Sequence, residues 1–327
     1  MTEKLADREP PNDVEFVAIA ETGILEAQAL LLCESIRRFA GGYARPRITV
    51  VSPRPSRRPL AATICALERL NVDYHEIEVD SCCPLYGTSY RVHSAAWIER
   101  RSGPDVIAQL DSDTLFFEQP DFSLGDWEAA ARPVDVKGMC TTGPSDPFDR
   151  YWQEICRIAE VDYSDLPFVV TSIDGCRVRA SYNGGLLVAR RSHGLFTRTE
   201  EILGRMVAAG LRPWGSEGPK VAAGTGVLSG SATSYWGTSQ AAFSLACVAS
   251  RIPVRLLPDG YNFPLHLADR TALPRPLVHV HYHGLFEGQD ARSNRLFDGS
   301  AAIPPDAAAW LEARLPLAAT QKTQQSG

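Results

Sequence analysis

The sequence lacks any run of about 18 consecutive apolar residues, so a membrane-spanning helix is not expected. Its opening segment, MTEKLADREPPND, carries acidic residues and two prolines where a secretory leader needs an apolar stretch. A cytoplasmic location is the resulting expectation. An excess of basic residues is also missing. Lys and Arg number 33 against 39 Asp and Glu, for a formal net charge of −6, whereas a nucleic-acid-coating surface needs a basic surplus. That balance speaks against a nucleic-acid partner, although local arginines can still hold one small anion. The eight cysteines form neither a CxxC pair nor a closely spaced Cys/His zinc pattern, and are too sparse in 327 residues for a disulfide scaffold. Adjacent Cys82 and Cys83 read as two reduced thiols beside a turn. No fixed-period repeat or heptad stands out. No Gly-rich phosphate loop follows the first strand, where Glu21-Thr22-Gly23 offers one glycine.

What is present is an apolar fraction of 44%, near the globular average, in a chain long enough for a substantial core. Residues 13–20 read as a buried strand, 23–39 as a helix stopped by Gly41-Gly42, and 47–52 as a second strand. A Pro/Arg-rich loop at 53–59, a helix at 60–70 and a strand at 73–79 follow. Helix 89–101 and strand 106–110 complete a further cycle. This alternation predicts an α/β fold with a mixed, mainly parallel central sheet flanked by helices. Beyond it, helices are expected at 151–158, 194–210 and 239–249, and strands at 166–172, 185–189, 254–257 and 277–282. The Gly/Ser/Thr-rich stretch 215–239 is too polar for a core element and reads as a substrate loop. The termini, 1–12 and 318–327, are expected to be flexible.

Chemistry concentrates in VIAQLDSDTLFFEQPD, residues 106–121. An apolar strand delivers the chain to Asp111 and Asp113, and apolar Leu115-Phe116-Phe117 follows directly. Residues i and i+2 of extended chain share a face, so the two carboxylates can converge. They lie past a strand's C-terminal end, where open α/β sheets collect ligands. Converging anions need a cation, and Mg²⁺ or Mn²⁺ suits oxygen donors. A solvated turn is the alternative. Near the other end, LVHVHYHGLF alternates His279, His281 and His283. Three same-face imidazoles about 6–7 Å apart close a tetrahedral site poorly. One histidine joining the distant aspartates is the better reading, with a buried, hydrogen-bonded histidine as the alternative.

Asp111-Ser112-Asp113, then Tyr182-Asn183-Gly184-Gly185-Leu186-Leu187-Val188, then His281-Tyr282-His283-Gly284 occur in that order. Together they resemble the nucleotide-sugar-dependent glycosyltransferases of the GT-A fold, especially the retaining, glycogenin- and galactosyltransferase-like branch. Tyr90-Arg91 and Leu257-Pro258-Asp259-Gly260-Tyr261-Asn262-Phe263 add weaker likeness. The resemblance covers about residues 13–290 and implies a single Rossmann-like catalytic unit over 13–317, with a nucleotide-binding half at 13–121 and a sugar and acceptor half at 122–317. It implies Asp111, Asp113 and His281 as Mn²⁺ ligands, with Gly284 near the donor diphosphate. Asn183 and Gly185 fall beside the donor sugar, and Arg91 and Ser112 with the donor-binding residues. Ala18, Ala20 and Glu21, at the end of the first strand, approach the base. Gln240 carries over from a late helix. The acidic residue that usually precedes it is Ser239 here, for which Asp259 or Glu217 could compensate.

The implied reaction is transfer of a hexosyl group from a nucleoside-diphosphate sugar, with UDP favoured, to a small-molecule or glycan acceptor, with retention. Trp214 and Trp236 are candidates for acceptor contact. A nucleotidyltransferase would instead consume a nucleoside triphosphate, and a silent sugar-binding module would turn over nothing. The expectation leaves room for a homo-oligomer.

Overall fold

The computed structural model describes residues 14–41, 46–125, 127–288, 290–299 and 303–319. The expectations for residues 1–12, for Gly42 and for most of the 318–327 tail lie outside the described residues. Six Val/Ile/Phe-rich residues form β1 (Val14–Ile19), and the chain continues through α1 (Ile24–Phe39), β2 (Arg47–Ser52) and α2 (Ala61–Arg69). Next come β3 (Asp73–Glu76), α3 (Thr88–Glu99), β4 (Val106–Leu110) and β5 (Thr114–Phe116). β6 (Ala129–Pro133), α4 (Asp149–Ala159), β7 (Phe168–Val170), β8 (Arg177–Arg179), β9 (Tyr182–Arg190) and α5 (Leu195–Ala208) follow. The last third holds β10 (Gly218–Ala223), β11 (Gly226–Gly230), α6 (Thr238–Ala249), β12 (Val254–Leu256), β13 (Phe263–Pro264), β14 (His279–His281), α7 (Ala291–Asn294) and α8 (Pro305–Glu312).

Seven strands make one twisted sheet in the order β12-β6-β9-β4-β1-β2-β3. Parallel pairs join β1 to β2 and β4, β2 to β3, and β12 to β6. Only β9 runs against its two neighbours. The fold is therefore the expected mixed, mostly parallel, Rossmann-like α/β sheet. Continuous burial along β4, with all five residues inside, follows from helices covering both faces. On one face lies a core of Trp152, Ile155, Phe196, Ile202 and Phe243 from α4, α5 and α6. On the other, Leu32 and Ile36 of α1 pack against Phe16, Ile48 and Phe116. At about 2 kcal/mol for each fully buried large apolar side chain, these two layers dominate the folding energy. No helix among the described residues is long and apolar enough to cross a membrane.

A second sheet, β13-β14-β5, positions the chemistry. β14 pairs antiparallel with β5, setting His281 opposite Thr114 and His279 opposite Phe116. A short strand pairing thus closes the long sequence gap between the Asp corner and the late histidines. Two expectations are corrected here. Strand 277–282 shortens to His279–His281, because His283 adopts a left-handed backbone with φ 51° that cannot continue the ladder. The polar stretch 215–239 is not an irregular loop: β10 and β11 form a hairpin.

Candidate active site

The Asp corner is fixed from three directions. Leu110 ends β4, and Asp111 N–H donates to Gly185 O of β9 at 3.1 Å. Ser112 Oγ donates to Ile19 O at the end of β1 at 2.5 Å. Tyr282 N–H donates to Asp113 O at 3.0 Å, tying the corner to the histidine segment. Both carboxylates then converge on His281, whose Nε2 lies 3.3 Å from Asp113 Oδ1 and 3.8 Å from Asp111 Oδ2. Asp111 also forms an ion pair with Arg91 Nη1 from α3. In the absence of a metal, Arg91 and a protonated His281 balance the two anions.

The electrostatics follow from burial and charge. Burial alone would lower the His281 pKa, but the Asp113 carboxylate, their hydrogen bond, and Asp111 and Asp135 raise it to about 8. Burial opposes ionisation of Asp113, yet the charge on His281 holds that carboxyl well below its ordinary value. Burial, then the like charge on His281, lowers His283 to about 3. His266 and His279 are likewise lowered, chiefly by burial.

These shifts predict a stability optimum for the metal-free protein near pH 6.5. Stabilisation from His281 is complete below its ordinary value of 6.5 and is lost as pH rises through about 8. Its loss costs on the order of 1–2 kcal/mol. Below 6.5 the unfolded chain takes up protons that the desolvated imidazoles of His266, His279 and His283 refuse, so stability falls on that side too. Denaturant titration of metal-free protein across this range checks both limbs. His281→Gln should flatten the upper one, and an unchanged alkaline slope in that variant would contradict the assignment.

The donor set fits a divalent ion. Asp113, His281 and His283 each offer a ligand atom, all within 4.8 Å of one another. Two donors bound at about 2.1 Å to one octahedral ion stand roughly 3.0 Å apart when cis and about 4.2 Å when trans. Small side-chain shifts therefore suffice to bind one.

Asn183 sits at the start of β9, buried, where its Nδ2 donates to Asp135 Oδ2 at 2.6 Å and its Oδ1 accepts from Gly185 N–H at 2.9 Å. Gly184 and Gly185 allow close packing on both faces of that strand. A Cβ on Gly184 would stand 2.3 Å from Arg91 Nη2, and one on Gly185 2.7 Å from His281 Nδ1. Gly284 is packed against Glu287, whose Oε1 would lie 3.1 Å from an added Cβ. Glu21 is buried beneath the arginine loop, accepting from Arg54 Nε at 2.6 Å, with Arg57 Nε at 3.5 Å. Arg54 also lies over the Tyr90 ring at 4.2 Å. Ala18 and Ala20 are packed into the core beside β2, and Ser112 is engaged with β1. Gln240 occupies the first turn of α6, and among the described residues no hydrogen bond joins its side chain to the Asp/His cluster. Ser239 Oγ pairs with Tyr86 Oη at 2.9 Å. Trp214 donates to Trp236 O at 2.9 Å and packs edge-on against Phe148. Asp259 and Glu217 are both exposed, and Asp259 is 3.6 Å from Arg132.

Three residues around the cluster went unnamed in the sequence, and a fourth, His283, appeared only as one of three alternating histidines. Asp135 is a half-buried carboxylate just past β6, accepting from Asn183 and from Ser172 Oγ at 3.1 Å. Its pKa is raised by burial. Its signal was the same as that of the Asp corner, a carboxylate directly after a buried strand. His283 joins the cluster, and His266 stacks on it at 3.9 Å between ring centres. Gln28 of α1 donates to Gly224 O at 2.7 Å, holding the tip of the β10–β11 hairpin against Asp113, whose Oδ2 is 2.6 Å from a Cβ built on Gly224. The hairpin thus covers the site, which is where a substrate loop was expected.

Carboxylates and imidazoles thus meet at a strand end, beside the Asn183–Asp135 pair and the arginine loop. No curated protein matches the chain. The family model described as a Rhodobacterales glycosyltransferase domain matches residues 16–213, more than half of the 327, spanning β1, Arg91, the Asp corner and Asn183. The chain therefore belongs to the Rhodobacterales glycosyltransferase domain family.

Proposed function

We propose that this glycosyltransferase moves a hexosyl group from a nucleoside-diphosphate sugar, preferentially a UDP-sugar, to a small-molecule or glycan acceptor with retention, in a GT-A-like site that requires Mn²⁺ or Mg²⁺. The observation that carries the reading is the meeting of Asp111, Asp113 and His281 at the end of β4. Departure of a nucleoside diphosphate adds negative charge to a group that is already anionic. A divalent ion held by these side chains would supply electrophilic stabilisation of that charge. Arg54 and Arg57, at the rim beside β1, are placed to give charge-assisted hydrogen bonds to phosphate once a donor loosens their hold on Glu21. Asn183, oriented by Asp135, is the hydrogen-bonding group assigned to the sugar. Asp135, half-buried beside Asn183, is the carboxylate proposed in place of Asp259 and Glu217, both exposed.

Calorimetry with UDP and GDP, each with and without Mn²⁺, tests the reading. UDP is expected to bind at least about tenfold tighter with the metal than without it. Incubation with a panel of UDP-, GDP- and dTDP-sugars should release the nucleoside diphosphate, and NMR of the product should show the donor's anomeric configuration. An inverted product would refute retention; release of pyrophosphate from a nucleoside triphosphate would refute glycosyl transfer from a diphosphate donor.

A further inference from the structure

We infer that His283 is a further ligand of the metal beside Asp113 and His281, so that the site holds its cation with two imidazoles instead of one and takes Mn²⁺ in preference to Mg²⁺. This rests on the metal-dependent reading above and extends it to the composition of the ligand sphere. Three observations place His283 there. Its donor atom lies with those of Asp113 and His281 inside a 4.8 Å cluster, and the two imidazole rings are 4.4 Å apart. The ring is held in place rather than left to swing. His266 stacks on it at 3.9 Å and 17°, and the Ala222 backbone of the hairpin hydrogen-bonds it. Nδ1 of His283 is buried with no hydrogen-bond partner among the described residues. A buried imidazole nitrogen without a partner is costly unless something binds it.

The backbone supports the same conclusion. On extended chain the side chains of residues 281 and 283 would stand about 6–7 Å apart. With the left-handed φ of 51° at His283, their ring centres are 4.4 Å apart in a T-shaped contact. Non-glycine residues in that region of φ concentrate at functional sites.

The composition decides the metal. Mg²⁺ requires near-ideal octahedral oxygen coordination and sheds water reluctantly. Imidazole nitrogen suits first-row divalent ions, whose affinity for such donors exceeds that of Mg²⁺. A site with one imidazole and two carboxylates would discriminate weakly, and a second nitrogen sharpens the preference.

The test uses the whole protein and Mn²⁺ alone, without nucleotide. Pulsed electron paramagnetic resonance of bound Mn²⁺ should show coupling to two imidazole nitrogens in the unmodified protein and to one in His283→Gln. Calorimetry should find Mn²⁺ bound roughly 100-fold tighter than Mg²⁺, with His283→Gln removing at least about tenfold of that preference. One nitrogen coupling in the unmodified protein, or no Mn²⁺ binding at all, overturns the inference, and this measurement needs no variant to fold. UDP binding in the same samples separates the two readings. Two-imidazole Mn²⁺ without any UDP binding upholds His283 and removes the nucleotide donor. UDP binding beside one-imidazole Mn²⁺ removes His283 and upholds the donor.

Discussion

Replacing Asp113 by alanine is expected to weaken Mn²⁺-dependent UDP binding at least about tenfold and to lower turnover by roughly a thousandfold, equivalent to about 4 kcal/mol of transition-state stabilisation. Asp113 has no substitute in the site. It is buried, it accepts from His281, and its backbone carbonyl anchors Tyr282, so its carboxylate sits where β4, β14 and the hairpin tip meet. Asp111 is more exposed and shares its charge with Arg91, so it cannot replace the missing donor. Asp113→Asn separates charge from shape. It preserves the volume under Gly224, and should bind metal almost as poorly as the alanine variant while retaining more stability. The chain itself should survive both changes. Without Asp113, His281 loses the largest of the charges that raise its pKa, and the pKa moves toward the lowered range of its neighbours His279 and His266. Isothermal titration with Mn²⁺ and UDP, together with a transfer assay, measures both effects. Unchanged metal-dependent binding in Asp113→Ala would sink the metal assignment.

Much of this arrangement was legible in the sequence because it sits where periodicity and strand ends coincide. The β1, β2 and β4 strands are continuous apolar runs, and buried parallel strands leave no other pattern. Asp111 and Asp113 were visible as a charged break between two apolar runs. What could not be read was the pairing of β14 with β5, a contact between short strands that carry no mutual signal in sequence. His283 was read only as one of three alternating histidines. Strand alternation says nothing about a residue beyond the strand end, and the left-handed turn that brings its ring back is a tertiary outcome. The 215–239 stretch was read as a loop because it is rich in Gly, Ser and Thr and too polar for a core element. Its hairpin is held instead by contacts to Gln28, Asp113 and His283. Asp135 was not singled out, since no strand was expected over 129–133 and its pairing with Asn183 is a tertiary contact.

Gly185→Ala is expected to disturb the site more than its one added methyl group suggests. The backbone at Gly185 is extended within β9 and can accept alanine, so any cost must come from what the methyl meets. It would stand 2.5 Å from Asn262 Oδ1 and 2.7 Å from His281 Nδ1. Neither neighbour yields easily. Asn262 is fully buried with a left-handed φ of 46°, and His281 is held by the β14–β5 ladder and by Asp113. Overpacking of this kind costs about 1–3 kcal/mol, which should lower Tm by several degrees. Because His281 is the group pushed, Mn²⁺ affinity should fall as well, by about tenfold or more. The neighbouring Gly184→Ala makes the contrast. Its methyl would meet the flexible end of Arg91, 2.3 Å away, which can swing aside and release Asp111 instead of His281. Stability should therefore fall less in Gly184→Ala, and the two imidazole couplings to Mn²⁺ should persist there while weakening in Gly185→Ala. Equal effects of the two substitutions on Tm and metal affinity would mean that the close approach of β9 to His281 is not what holds that ring in place.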